Sequence, residues 1–181
     1  SRPIPPLISL PHSEKVIHIG SLSKVFAPSL RIGYVVANRD IIHAMNQEIL
    51  LIDKQGNIIT ELAMAELMQQ GEIKRHIRKM RKIYQQRRDF AVNRFQAVFN
   101  NQVEINPPLG GMALWVKFKF PYRAEYNELL NQLHIDAEAH FAAESQASNQ
   151  HFHIRFGYAA INETEISNII NLLYTAFQPK A

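Results

Sequence analysis

The stretch that decides the fold is GSLSKVFAPSLRIGY, residues 20–34. It connects two short runs rich in β-branched residues, VIHIG over 16–20 and RIGYVVA over 31–37, and both runs predict buried strands. Lys24 therefore follows the end of a strand, where partial desolvation would favour the neutral amine and make it a nucleophile toward a carbonyl. The alternative is that Lys24 extends its ammonium group into solvent, as most single lysines do.

Potential phosphate ligands surround this lysine. Ser21 and Ser23 offer hydroxyl donors, and Arg31 offers a planar guanidinium that can bind an anion through two N–H groups, unless it pairs with a surface carboxylate. A phosphate site beside a lysine that can form a Schiff base is what pyridoxal 5′-phosphate requires. The segment therefore predicts a site for this cofactor, formed by these residues and Lys24.

The same segment resembles the lysine motif of the fold-type-I pyridoxal-phosphate enzymes, the class I/II aminotransferases. The resemblance lies in Ser-x-Ser-Lys, the proline that follows, and Leu-Arg-x-Gly-Tyr. It implies that Lys24 is the catalytic lysine and binds the cofactor covalently, and that Ser21 and Arg31 bind the phosphate, with Ser23 as a further phosphate candidate. It also implies an α/β fold, in which the end of the cofactor-binding large domain precedes an α+β small domain.

Three further segments extend the resemblance along the chain. Residues 71–84, with Gly and then His-x-Arg-x-Met-Arg-x-x-Tyr, followed by Arg-Arg-Asp at 87–89, are similar to the GntR/MocR family of transcriptional regulators. The segment 108–115 resembles the Gly-Gly turn before a small-domain strand, and 153–158 resembles the strand whose arginine binds the substrate carboxylate. This last likeness implies that Arg155 binds the carboxylate of a substrate or effector.

Length and composition limit the domain organisation. The chain has 181 residues and is 46% apolar, which suffices for one domain or one and a half. Because two strands before a long helix cannot form a stable doubly wound sheet, we expect the chain to be a C-terminal part of a longer protein. Residues 1–72 are assigned to the remnant of the cofactor-binding large domain, and residues 73–181 to the small C-terminal domain.

Periodicity and capping residues predict the individual elements. Asp40 is expected to cap the first helix and Gly71 to end the second, and Asn162 with Glu165 forms a capping box for the last. The predicted helices cover 40–52, 61–70, 72–99, 124–133 and 163–177, with a loop over 53–60, and the remaining predicted strands cover 103–105, 112–118, 135–139 and 153–158.

Composition excludes several functional classes. The sequence contains no cysteine, which rules out disulfide scaffolds, thiolate metal sites and thiol nucleophiles, and the eight histidines lack metal-ligand spacing. The net charge is +4, and eight of the twenty Lys and Arg residues lie between Lys74 and Arg88 on the polar side of an amphipathic helix. Without interleaved aromatics this pattern favours a solvated or partner-facing surface over a nucleic-acid site. No apolar run is long enough to span a membrane, and we expect a cytoplasmic protein.

Two principal functions remain open at the level of sequence. The first is the effector-sensing part of a GntR/MocR-type regulator that binds pyridoxal 5′-phosphate and an amino acid or amine, forms a homodimer, and contacts DNA through an upstream domain. The second is the C-terminal half of a stand-alone aminotransferase, and a third possibility is a cofactor-free interaction module. No Asp precedes Lys24 to pair with the pyridine nitrogen, so the chain alone is expected to be inactive. A helix-turn-helix pattern upstream would select the regulator.

Overall fold

The computed structural model describes residues 5–52, 56–137 and 151–177. The chain divides into two units, Ser1–Met80 and Arg81–Ala181, and the division falls inside helix Glu72–Phe99. The domain boundary predicted from the sequence, between residues 72 and 73, lies at the beginning of this same helix. The identity of each part as a large-domain remnant or a small domain stays a prediction.

The first unit contains one β-hairpin and two helices. Strands β1 (His18–Ser21) and β2 (Gly33–Val36) pair antiparallel, and helices α1 (Arg39–Ile52) and α2 (Ile58–Gln69) follow. The long helix α3 (Glu72–Phe99) begins in this unit. The strands are largely exposed, with Ile19 at 75%, so the prediction that both are buried is wrong for the described residues. A two-stranded ribbon has no sheet neighbours, and an apolar strand side chain remains in solvent when no element packs over it.

Asparagine side chains set where the first two helices begin. Asn38 Oδ1 accepts a hydrogen bond from a first-turn N–H of α1 at 2.9 Å, so Asn38 caps the helix and the predicted cap, Asp40, lies in the first turn. Asn57 Oδ1 accepts a hydrogen bond at 3.3 Å at the start of α2, so residues 58–60, predicted as loop, are helical. Gly71 has φ of +74° after α2, as expected of a residue that ends a helix.

The second unit is a four-stranded antiparallel sheet with helices packed on one face. Its strands are β3 (Val103–Ile105), β4 (Ala113–Phe118), β5 (Asp136–Ala137) and β6 (Phe152–Gly157), in the spatial order β3-β4-β6-β5. Helices α4 (Tyr126–Gln132) and α5 (Glu163–Phe177) complete it together with the second part of α3. These bounds lie within two residues of the predictions, except that the predicted end of the third strand, residues 138–139, lies outside the described residues.

The core of this unit is formed by alternate side chains of β4 and β6. Every second side chain is buried against α3 and α5, and the residues between them point to the opposite face. Phe95 of α3 lies at the centre of the core with no exposed surface; its ring centroid lies 5.1 Å from that of Phe156 and 6.1 Å from that of Phe99. The capping box predicted for α5 is confirmed: the Glu165 N–H donates to Asn162 Oδ1 at 3.0 Å, and the Asn162 N–H donates to Glu165 Oε2 at 2.7 Å.

Phe95→Ala tests the importance of this aromatic core. Removing a fully buried ring loses its transfer free energy and leaves a cavity, so we expect the free energy of unfolding to fall by about 3–5 kcal/mol. Urea denaturation followed by circular dichroism measures the change. The matched control is Leu172→Ala in α5, where the side chain is 49% exposed, and there we expect a change of about 0.5 kcal/mol or less. Equal losses for the two variants would contradict this core.

Candidate functional site

The hairpin brings the predicted phosphate ligands to one end of a small sheet. Ser21 pairs with Gly33 at the end of β1, and the Leu22 N–H donates to the Ile32 carbonyl at 2.9 Å, which extends the pairing by one step. Arg31 immediately precedes this last pair. Ser21 and Arg31 therefore lie at the same end of the hairpin, with Arg31 two positions before the partner of Ser21, although ten positions separate them in sequence.

Two apolar side chains anchor the loop that connects these strands. Leu22 is 4% exposed and packs with Met64 and Ile73 in the core of the first unit. The ring centroid of the half-buried Phe26 lies 5.0 Å from that of His76. The Phe26 N–H donates to the Leu22 carbonyl at 2.8 Å and closes a tight turn. The loop is thus fixed on both sides of the predicted catalytic lysine.

Lys24 lies in this turn, between the two anchors, and is exposed. The partial desolvation expected from a buried strand is therefore not found, because the described residues of this unit place no element over the end of the hairpin. Ser21 is also exposed and Ser23 is half-buried. Among the described residues, neither Lys24 nor Arg31 forms an ion pair.

Arg31 adopts an uncommon backbone conformation. Its φ and ψ are 51° and 35°, in the left-handed region, where a non-glycine residue costs roughly 1 kcal/mol or more. The conformation turns the chain from the short 3₁₀ turn Pro28–Leu30 into β2. The result is a guanidinium, an amine and two hydroxyls on one short hairpin, which is a donor set suited to an anion such as a phosphate.

Gly20 has a role that the sequence did not indicate. A Cβ atom built there would lie 2.2 Å from Tyr34 Cζ, so the tyrosine ring occupies the space where a side chain would be. Gly20 was predicted to end the strand, but pairing continues through Ser21. The glycine instead admits the Tyr34 ring across the hairpin.

Arg155 belongs to the second unit, apart from the hairpin residues along the chain. It lies on the outward face of β6 and is exposed, while its neighbours Ile154 and Phe156 are buried. The backbone register places it opposite Trp115 of β4 on one side and opposite Asp136 of β5 on the other. The structure therefore assembles Ser21, Ser23, Lys24 and Arg31 on one hairpin and carries Arg155 on a separate sheet.

Arginines of α3 and a buried tyrosine hold the turn before β4. Arg88 Nη1 donates to the Pro108 carbonyl at 2.7 Å, and Arg87 donates to the Ala159 carbonyl. The Tyr158 hydroxyl donates to the Gly111 carbonyl at 2.8 Å. Burial raises the pKa of Tyr158, with a lowering effect from Arg88 and a raising effect from Asp89. The arginine pair that resembles the regulator motif thus positions the chain segments at one end of the two central strands, β4 and β6.

The described ranges contain neither a group of three metal-ligating side chains nor a helix long and apolar enough to cross a bilayer.

Comparison of sequences relates the chain to regulators. Residues 5–173 match the family described as aminotransferase class I and II. The chain is 28% identical over 177 residues to the HTH-type transcriptional regulator NorG of Staphylococcus aureus, an alignment that covers 97% of this chain and 39% of the regulator. It is 25% identical to the uncharacterized HTH-type transcriptional regulator YhdI of Bacillus subtilis, covering 98% of this chain and 38% of that protein. The chain thus spans about two-fifths of the length of these curated relatives.

Comparison of structures finds the same fold in aminotransferases. A kynurenine aminotransferase from Pyrococcus horikoshii superposes with a TM-score of 0.70 at 24% identity, covering 94% of this chain and 43% of the enzyme. The aminotransferase Aro8 from Candida albicans gives a TM-score of 0.73, also at 24% identity, covering 96% of this chain and 41% of that one. These likenesses show the fold alone, and they confirm the predicted α/β aminotransferase architecture.

Tyr158→Phe tests the contact that holds Gly111. Losing a buried hydrogen bond to a carbonyl should lower the free energy of unfolding by about 0.5–1.5 kcal/mol at neutral pH. Because the pKa of Tyr158 is raised in the folded state, its stabilising contribution is complete below the ordinary value of 10.0 and is lost as the pH rises further. The variant should therefore lose less stability than wild type between neutral and strongly alkaline pH.

Thermal unfolding across this pH range measures both effects. Tyr174→Phe is the matched control because Tyr174 is 38% exposed, and it should behave like wild type. An unchanged stability and pH profile in Tyr158→Phe would show that the hydroxyl contributes nothing.

Proposed function

This chain belongs to the class I and II aminotransferase family, and from that premise we propose that it is the C-terminal part of the effector-sensing domain of a GntR/MocR-type transcriptional regulator. The observation that carries the proposal is the 28% identity to a helix-turn-helix regulator over 97% of the chain. The fold neighbours are named as aminotransferases, but their identities of 24% or less inform on the fold alone.

The donor set of the hairpin fits pyridoxal 5′-phosphate. Ser21 and Arg31 lie together at one end of the hairpin and would bind the phosphate, with the Ser23 hydroxyl as a further donor, and the exposed Lys24 amine would bond to the cofactor carbon. When bound, the cofactor supplies an aldehyde that captures amines covalently. The left-handed Arg31 backbone supports this assignment, because strained conformations are concentrated at binding sites.

Arg155 would bind the amino acid ligand, in addition to the cofactor site on the hairpin. Its guanidinium is exposed on a strand between two buried residues, and a strand fixes the orientation of such a fork well. It would bind the carboxylate of an amino acid ligand, as the resemblance to the aminotransferase strand implies. In the regulator we propose, DNA contacts come from an upstream domain outside this chain, and the protein acts in the cytoplasm.

We propose that the apolar surfaces of α1 and α2 are covered by a second copy of the protein. Leu51 and Ile52 of α1 are 78% and 83% exposed, and Ile59 and Leu62 of α2 are 83% and 66% exposed. Several exposed large apolar side chains on two neighbouring helices of the sequence are typical of a surface that a partner covers. A homodimer with a two-fold axis would cover the same patch on both copies.

Covalent labelling of the full-length protein tests the cofactor site. After incubation with pyridoxal 5′-phosphate and borohydride reduction, peptide mass analysis should find the pyridoxyl group on Lys24. Lys24→Ala should abolish the label, whereas Lys15→Ala, at an exposed lysine outside the motif, should leave it unchanged. Arg31→Ala should weaken cofactor affinity about ten- to a hundredfold, because it removes a charge-assisted contact to the phosphate. A label on another lysine with Lys24 unmodified would overturn the assignment.

Sedimentation velocity tests the proposed dimer. Wild type should sediment as a dimer at micromolar concentration, and Leu51→Glu with Ile59→Glu should shift it to monomer, because each change puts a charge into the apolar patch. The matched control is Leu172→Glu, an exposed apolar position in the second unit, which should remain dimeric. A wild-type monomer at high concentration would contradict the proposal.

A further inference from the structure

The outward face of the sheet in the second unit carries a distinct set of side chains. Across β4 and β6 the outward pairs are Lys117 with His153, Trp115 with Arg155, and Ala113 with Gly157. Trp115 is 42% exposed, and its ring stacks on that of His153 at a centroid distance of 5.5 Å and an angle of 19°. A large flat ring is thus fixed on the surface directly beside an exposed guanidinium.

The adjacent pair leaves an open space on the same face. Ala113 contributes one methyl group and Gly157 no side chain, and a Cβ built on Gly157 would meet no atom within 4 Å. Same-face neighbours along a strand are about 7 Å apart, so this low area lies directly against Trp115 and Arg155. Two small residues, Ala113 and Gly157, thus lie next to two large ones, Trp115 and Arg155, on this face, and we call the low area above the two small residues the recess.

Hydrogen bonds fix the end of this recess. The Tyr158 N–H donates to the Met112 carbonyl at 3.0 Å, and the Tyr158 hydroxyl donates to the Gly111 carbonyl at 2.8 Å. Gly111 has φ of +98°, a conformation that favours glycine. The turn that precedes Ala113 is thus fixed by hydrogen bonds from Tyr158, which is buried.

The chemistry of the recess favours one kind of ligand. A guanidinium binds a carboxylate through two N–H groups, and an indole ring packs best against another flat aromatic ring. Ala113 and Gly157 have no side chain large enough to exclude such a ring. We propose that the recess is a specificity site, in which Arg155 holds the carboxylate of an amino acid and Trp115, Ala113 and Gly157 select an aromatic side chain. This inference rests on the proposed function, since it assigns Arg155 the carboxylate, and it adds the ligand class.

Trp115 provides its own reporter, since the chain contains one tryptophan. The 181-residue chain is titrated with L-phenylalanine, with L-alanine, which lacks the ring, and with phenethylamine, which lacks the carboxylate. We expect L-phenylalanine to change the Trp115 emission saturably and, by calorimetry, to bind up to about tenfold more tightly than L-alanine. Phenethylamine should bind more weakly than L-phenylalanine. Equal affinities for L-phenylalanine and L-alanine would overturn the proposal.

Gly157→Val is the decisive variant because it fills the recess and leaves Trp115 and Arg155 unsubstituted. Valine suits a strand, and its Cβ meets open space, so the fold is expected to persist, which circular dichroism checks. The variant should bind L-alanine as wild type does and lose the preference for L-phenylalanine. The matched control is Lys117→Val on the same face of β4, four register pairs away, which should keep the preference.

The remaining outcomes separate this inference from the proposed function. If Arg155→Ala abolishes binding of both amino acids while Gly157→Val binds L-phenylalanine like wild type, the recess is overturned and the carboxylate role of Arg155 stands. If Arg155→Ala binds L-phenylalanine as tightly as wild type, both the recess and the carboxylate role are overturned. Loss of the preference in Gly157→Val and Trp115→Ala, with L-alanine binding retained, supports the recess.

Discussion

The second unit is held in place by the alternation of buried and outward-facing side chains along β4 and β6. Burying Ile154 and Phe156 against the helices forces Arg155, the residue between them, onto the outward face. The same rule, applied through the antiparallel register, places Trp115 beside it. A slip of one residue in β6 would bury the guanidinium and expose Ile154 and Phe156, so the packing of the core and the outward position of Arg155 specify each other. The packing of the core thus fixes the position of the residue that we propose to bind a carboxylate.

In the first unit, the residues that we propose to bind the cofactor depend on a small apolar cluster. Leu22 and its few packing partners hold a loop that carries Lys24 and ends at the left-handed Arg31. Large apolar side chains of the same unit are exposed, with Ile19 of β1 at 75% and Leu51 of α1 at 78%. Lys24 is itself exposed, and burial of this lysine in the whole protein would favour its neutral, nucleophilic amine.

The sequence predicted the elements whose signals are local. Helix α3 runs over the predicted 72–99 because a single amphipathic period and a preceding glycine define it, and α5 begins at the predicted capping box. The start of α1 was misplaced because Asn38 and Asp40 are both good caps, and only the geometry of the first-turn amide distinguishes them. The predicted burial of β1 was wrong because a run of β-branched residues has the same sequence pattern whether or not other strands and helices cover it. The recess at Gly157 could not be predicted, since it depends on which residue of β4 lies opposite.

DNA occupancy of the full-length protein tests the central claim most directly. Binding to its own promoter region is measured by electrophoretic mobility shift, with and without pyridoxal 5′-phosphate and an amino acid, while release of a keto acid is monitored in the same samples. For the proposed regulator, we expect the two ligands together to change DNA occupancy without stoichiometric release of keto acid, and Lys24→Ala to bind DNA but no longer respond. Absence of DNA binding together with multiple turnovers of the amino acid would contradict the regulator proposal and show that the protein acts as an aminotransferase enzyme.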